Sequence, residues 1–491
     1  MGSPRRIDGQ GNGRGWRFTT PLGLVTAIGA VVRMALLDQV MRNDEVVTAT
    51  RFAVDLGTAV TNYSAPNNHI LHSILVNMSV NVFGLEPWAV RLPALLFGLA
   101  LIVVVDWWVS SATGSRTAGL LASALVAGSS LLIEYSTIAR GYTMVAVGFV
   151  VLMEISRRLL EKPSLGNWVV WVVVAVAGLV TVPVFVFPLS AVGVWILLNV
   201  IGGRGGWGPA WHLAIAASLV GVLSVLAYLP AAMATGVAAI VDNPFIQAVT
   251  WSDLPGAWYR LTANLAVLVW RDGILALGYS GLFIVAIIRN RAIFGRVLTP
   301  LVGLVGPLMI VVVRMVAPPQ RVWLFLWPLV LGLAGAAGAF IAVRWFSRLT
   351  ADRWIVAIAL AVATTMGLAT LASGEVIESR ESGPFRDGPA VAELLKAELD
   401  QGDRVLVESH SRIVLDWYLS PDEPSDRVIH RGYEGADRVF VVVYYLREQE
   451  LTRMLDESSV PVAEFSEPRL LRALPDTDIF VMERVEQQPA P

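Results

Sequence analysis

Apolar stretches of membrane-spanning length recur along the chain, at about 18–37, 91–110, 117–134, 141–159, 168–182, 184–200, 212–232, 274–288, 297–314, 322–343 and 354–373. A bilayer core takes roughly 20 apolar residues in helical form, so each stretch predicts a spanning helix, about 11 in all. The run from 168 to 200 is punctuated only by Pro183 and Pro188 and reads as two short spans or as one re-entrant hairpin. After Ser373 the apolar runs shrink to strand length. There the pattern predicts helix 389–399, strand 403–408, helix 413–419, strands 427–430 and 438–445, helix 447–456 and strand 478–484. The expected fold is therefore an α-helical polytopic membrane protein with a small C-terminal α/β domain. Its parts are a tail at 1–17, a membrane domain at 18–374 and a soluble domain at 375–491. Two connections, 38–90 and 233–273, are too long to be simple turns, and within them 70–83 and 258–270 are half-apolar stretches suited to lie along the interface as helices.

Composition strengthens this picture. Of 491 residues, 55% are apolar and 15% charged, against roughly 25% charged in water-soluble domains. Residues 1–374 hold 24 Lys and Arg against 14 Asp and Glu, whereas 375–491 hold 13 against 25. If the N-terminus is cytoplasmic, the alternate short loops on that side carry 15 basic residues and only Asp8, Glu161 and Asp352 as acids, as the positive-inside rule requires. An odd number of spans then sets the C-terminal domain outside the cytoplasm. Arg5, Arg6, Arg14 and Arg17 precede the first apolar run without a small-residue cleavage site after it, which predicts an uncleaved anchor. The basic residues are spread over short loops rather than gathered in a stripe, so no nucleic-acid partner is expected. Cysteine is absent, which excludes disulfides and thiol chemistry.

Candidate chemistry clusters on the side opposite the basic loops. Asp44 and Glu45 follow the first span, where a partly desolvated carboxylate can serve as a general base or bind a hard divalent cation; an ordinary solvated acid pair is the plainer reading. Further on, Asn68, His69 and His72 put two imidazoles on one helix face, able to hold a metal or a phosphate, or to rest as interface histidines. Glu134, Arg140 and Tyr142 crowd a short connection at 133–144, where Arg140 can meet a phosphate or pair with Glu134. Arg314 and Arg321 flank another turn on the same side, where arginines also snorkel to lipid headgroups.

The order of these segments resembles the GT-C superfamily of integral membrane glycosyltransferases, in the bacterial branch similar to protein O-mannosyltransferases and the lipid A aminoarabinose transferase. The resemblance rests on Asp44-Glu45, on N-N-H-x-x-H at 67–72, on Phe83-Gly84 and Arg91-Leu92-Pro93, and on E-Y-S-x-x-A-R-G-Y at 134–142. It implies a polyprenyl-phosphate sugar donor drawn from the bilayer and an acceptor hydroxyl or amine that attacks the anomeric carbon with inversion. By the same resemblance Asp44 is the base, and Glu45 assists it or helps hold a divalent cation such as Mg or Mn. His69, Arg140 and Arg321 are then candidates for the donor phosphate or its metal, with Asn68, His72, Glu134 and Tyr142 beside them. The acceptor implied is a glycan, lipid or protein; the long loops have no recognisable β-trefoil insert, a departure from the protein mannosyltransferases that tells against a protein.

Three other classes compete. A lipid or saccharide transporter would carry internal repeats and broken, charged helices at the midplane. No repeat is evident, and the ionisable residues deepest in the spans are Arg33, Asp106 and Glu154. A lipid-linked polymerase or ligase of another fold would share the outer arginines but not the early acidic pair. A non-catalytic scaffold would tolerate loss of Asp44.

Overall fold

A computed structural model describes residues 16–202, 208–241, 301–345, 351–419 and 435–485, together with Tyr433 and scattered positions between 250 and 284. The chain falls into two compact units, Met1–Leu37 with Phe52–Glu378, and Asp38–Arg51 with Ser379–Pro491. The helices up to Val241 are α1 (Thr20–Met34), α2 (Asn43–Val47, in the second unit), α3 (Leu56–Thr61), α4 (Ile70–Phe83), α5 (Pro87–Thr113), α6 (Arg116–Gly128), α7 (Ser130–Ser136), α8 (Tyr142–Glu161), α9 (Leu165–Thr181), α10 (Val186–Ile201), α11 (Gly208–Thr235) and α12 (Val237–Val241). They continue with α13 (Val305–Arg314), α14 (Leu326–Trp345) and α15 (Ala351–Ser373). Every expected span except 274–288, most of which lies outside the described residues, falls on one of these apolar helices. Most of loop 233–273 and strand 427–430 also lie outside them.

Among the described residues, α5, the stretch Pro183–Ile201, α11 and α15 are each long and apolar enough to cross a hydrocarbon core. Pro183 opens its helix at a position where the missing N–H costs nothing, so 168–200 is two helices. The body is that of a multi-pass membrane protein. Its helices approach closely where side chains are small: a Cβ on Gly335 would run into the backbone of Ala122, so α6 and α14 meet almost backbone to backbone.

The apolar run 117–134 is not one straight helix. α6 and α7 are bent by 65° at Ser129, whose backbone is extended. A break within a bilayer frees carbonyl groups that water cannot satisfy. Arg33, fully buried on α1, supplies the donors: its guanidinium bonds the carbonyls of Ala127 at 2.8 Å, Gly29 at 3.1 Å and Val126 at 3.3 Å. The Ser129 hydroxyl caps α7 by accepting from the Leu132 N–H and also accepts from the Trp327 indole at 2.9 Å. The connection 133–144, expected at the membrane surface, is buried against the rest of the protein throughout.

In the second unit, α16 (Gly388–Glu398), β1 (Arg404–Leu406), α17 (Ser409–Leu419), β2 (Arg438–Tyr444), α18 (Leu451–Glu457), β3 (Arg469–Ala473) and β4 (Thr477–Glu483) form an α/β domain with sheet order β1-β2-β4-β3. β1 runs parallel to β2, and β4 antiparallel to both β2 and β3. The apolar run at 438–445 becomes the central strand β2, as a strand covered on both faces should. Phe440, Val442 and Tyr444 pack with α16 and α17, while Val439, Val441 and Val443 pack with Leu455 and Phe465. The reading of the sequence omits β3, an exposed edge strand of two leucines between arginines. It also assigns 38–51 to a loop of the membrane domain, whereas these residues group with the C-terminal unit.

Candidate active site

In the membrane unit, α4 starts where the sequence reading set it, directly after His69. As the residue before the helix, His69 does not cap it with its side chain. Its ring turns instead to the chain between α7 and α8, where Nδ1 accepts the Gly141 N–H at 2.9 Å. Position 141 admits no side chain: a Cβ there would lie 2.5 Å from the Thr181 methyl and 3.1 Å from His69 Nδ1. Gly141→Ala is expected to destabilise the protein by about 1–3 kcal/mol through overpacking, read as a lower thermal midpoint.

Around this bond gather the side chains of the segment 134–142. The Tyr142 ring meets His69 edge-on at 5.1 Å and Tyr135 at 5.5 Å, and the two histidine rings lie 6.5 Å apart. The Arg140 guanidinium, buried, donates to the Asn67 carbonyl at 3.0 Å and stands 5.9 Å from the Tyr142 ring centre. Glu134 is wholly buried on α7. Arg321, half-buried on the short 3-10 helix Gln320–Trp323, is close enough to act on the charge of His69. The structure thus gathers His69, His72, Arg140, Tyr142 and Arg321 into one cationic, aromatic cluster.

Burial first, and then Arg140, His72 and Arg321, hold the His69 pKa well below its usual 6.5. The ring is therefore neutral, and since Nδ1 accepts a backbone N–H, the proton sits on Nε2, which can only donate. The unfolded chain takes up a proton here near pH 6.5 and the folded chain does not. Stability from this group is therefore complete above that pH and is lost as pH falls toward the folded value. Relative to wild type, His69→Gln should show a flatter decline of thermal midpoint below pH 6.5.

The Asn68 amide donates to the carbonyls of Ala59 at 3.1 Å and Asn62 at 2.8 Å and accepts from Ser73 at 2.7 Å, which pins the loop before α4. His69 does not fit a metal, because one nitrogen is occupied as an acceptor and the other carries the proton. The cluster also contains a residue that the sequence reading missed. Tyr63, buried, is hydrogen-bonded to Tyr228, and burial pushes its phenol up to about 12 although Arg140 opposes this. Its signal in the sequence was only its place four residues before Asn67.

In the second unit, α2 carries the acidic pair with divided duties. Glu45 is fully buried and accepts the Arg42 N–H at 2.9 Å, so its carboxylate closes the first turn of the helix. Asp44 is half-buried. Among the described residues, no group of three or more His, Asp or Glu converges as a metal site, and with Glu45 acting as a cap the donor set does not fit a resident cation.

No protein-family model matches the sequence, and no curated protein matches it in sequence. Solved structures do match in fold. ArnT from Cupriavidus metallidurans, in its apo state, is 13% identical with a TM-score of 0.62 over 94% of this chain and 97% of that one. The same protein bound to undecaprenyl phosphate is 14% identical with a TM-score of 0.62 over 96% and 99%. The archaeal oligosaccharyltransferase AglB from Archaeoglobus fulgidus, in complex with an inhibitory peptide and a dolichol-phosphate, is 11% identical with a TM-score of 0.52 over 86% and 69%. In combining an apolar helical body with a small α/β domain, the chain shares the fold of these solved structures.

Proposed function

We propose that this protein is a membrane glycosyltransferase that takes a sugar from a polyprenyl-phosphate donor and passes it to an acceptor on the extracytoplasmic side, with Asp44 as the base. The observation that carries the reading is the buried cluster of Arg140, Tyr142, neutral His69 and Tyr63, edged by Arg321. Such a cluster suits an anionic headgroup on an apolar tail. Two structures of like fold hold polyprenyl phosphates, undecaprenyl phosphate in ArnT and a dolichol-phosphate in AglB.

In this reading the donor phosphate meets the Arg140 guanidinium, and the His69 Nε2–H adds a donor that needs no change of protonation. The acceptor hydroxyl or amine attacks the anomeric carbon as the bond to the phosphate oxygen breaks. Asp44 takes the proton from the nucleophile, and polyprenyl phosphate leaves with the bond's electron pair. Positive charge on the leaving phosphate stabilises what develops there, and a membrane-borne donor accounts for the lack of a glycine-rich nucleotide loop. The orientation follows from the loop charges, with the N-terminus cytoplasmic and the C-terminal domain outside.

The test uses purified protein in bilayer nanodiscs with radiolabelled glucose, mannose and 4-amino-4-deoxyarabinose, each linked to undecaprenyl phosphate, and a cell-envelope extract as the source of acceptor hydroxyls and amines. Release of undecaprenyl phosphate with loss of label from the lipid is expected for one of them. If undecaprenyl phosphate fails to bind at all, the reading is wrong.

A further inference from the structure

The turn that carries Asp44 is built into the C-terminal unit. Arg42 forms an antiparallel bridge with Pro384, and the N–H groups of Asn43 and Asp44 donate to the carbonyls of Gly383 at 2.9 Å and Ser382 at 3.2 Å. Side chains add to this pairing. The Asn43 amide donates to the His410 carbonyl at 3.0 Å, the Arg42 guanidinium to the Glu381 carbonyl at 2.9 Å, and the Met41 N–H reaches the Tyr418 hydroxyl at 2.9 Å.

The receiving turn is itself unusual. Ser382 and Gly383 both have left-handed backbones, with φ of 62° and 69°. A serine there is uncommon, and such conformations persist where the surroundings fix them. A Cβ on Gly383 would lie 3.1 Å from Asn43 Cβ and 3.1 Å from Arg447 Nη2, so the turn, the Asp44 segment and Arg447 are in close contact. His410 follows β1 and Arg447 follows β2, which locates this seat at the carboxyl ends of the parallel strand pair. In open α/β sheets that edge is where ligands are received. Glu408 is already engaged there: burial raises its pKa, but hydrogen bonds from His410 and Ser409 and the nearby Arg447 outweigh burial and hold the carboxyl below its usual range.

We propose that the C-terminal domain is the positioning element for the base, with Asn43, Ser382 and Gly383 as positioning residues that fix where the Asp44 carboxylate stands. This rests on the reading of Asp44 as the base. The domain then contributes to the chemistry through the backbone it pairs with, and its loss costs turnover rather than capture of the lipid.

The experiment compares Asn43→Ala and Gly383→Ala with wild type and Asp44→Asn, all full-length in nanodiscs. It reads hydrogen exchange over 41–47, affinity for undecaprenyl phosphate, and kcat and KM with the undecaprenyl-phosphate sugar that the wild type turns over. Both positioning variants are expected to exchange faster over 41–47 and to lose about tenfold to 100-fold in kcat, with KM and lipid affinity within about twofold of wild type. Unchanged exchange, faster exchange with an unchanged kcat, or an equal loss of lipid affinity would each overturn the proposal. An active Asp44→Asn removes the base and this inference together. An inactive one, beside normal rates in Asn43→Ala and Gly383→Ala, removes the positioning role alone.

Discussion

Asp44→Asn is expected to lower kcat by about 10² to 10⁴ while the protein still folds and still binds undecaprenyl phosphate. The amide keeps the size of the carboxylate and gives up only its ability to take a proton. The residues proposed to hold the lipid phosphate, Arg140 and His69, are on other elements, so affinity has no reason to change. Glu45 supplies the contrast within the same dipeptide. Its buried carboxylate caps α2, so Glu45→Ala should cost about 0.5–2 kcal/mol of stability and should slow turnover only as far as the turn loosens. Release of undecaprenyl phosphate, measured beside a binding titration, separates the two. Wild-type turnover in Asp44→Asn would take away its assigned role.

The second large effect is expected at Arg140. Arg140→Ala removes a buried cation facing the proposed headgroup and should weaken undecaprenyl phosphate binding by about 2–5 kcal/mol, or roughly 30-fold and more. Arg140→Lys keeps the charge but loses the planar fork, and so should fall between. Arg321→Ala should cost less, because Arg321 is only half-buried and its charge is better screened. Titration with undecaprenyl phosphate at two salt concentrations measures all three, and an unchanged affinity in Arg140→Ala would displace the binding site from this cluster.

Much of this was legible in the residues. α4 begins and ends where the sequence predicts, because Asn68-His69 before it and Gly84 after it punctuate an apolar run. β2 announces itself as an unbroken β-branched and aromatic stretch. The 65° bend at Ser129 does not, since the run through Gly128, Ser129 and Ser130 is continuous in hydropathy and the groups that sustain the break, Arg33 and Trp327, come from distant helices. That Asn68 and Glu45 bind backbone was not legible, because a polar side chain that binds a substrate and one that binds nearby backbone are the same residue type. The allegiance of 38–51 is carried by main-chain pairing of Arg42 with Pro384, and backbone pairing leaves no mark on side-chain identity.

That pairing also fixes an order of events during synthesis. Residues 41–44 leave the ribosome early, yet their partners are Ser382, Gly383, His410 and Tyr418, up to 377 positions later. The membrane helices can be inserted and packed before any of those partners exists, because domains generally form from the N-terminal end as the chain grows. A polypeptide interrupted before its last hundred or so residues would thus contain the cluster around Arg140 and lack the backbone partners that hold residues 41–44, so that a half-made molecule is incomplete at the turn bearing Asp44.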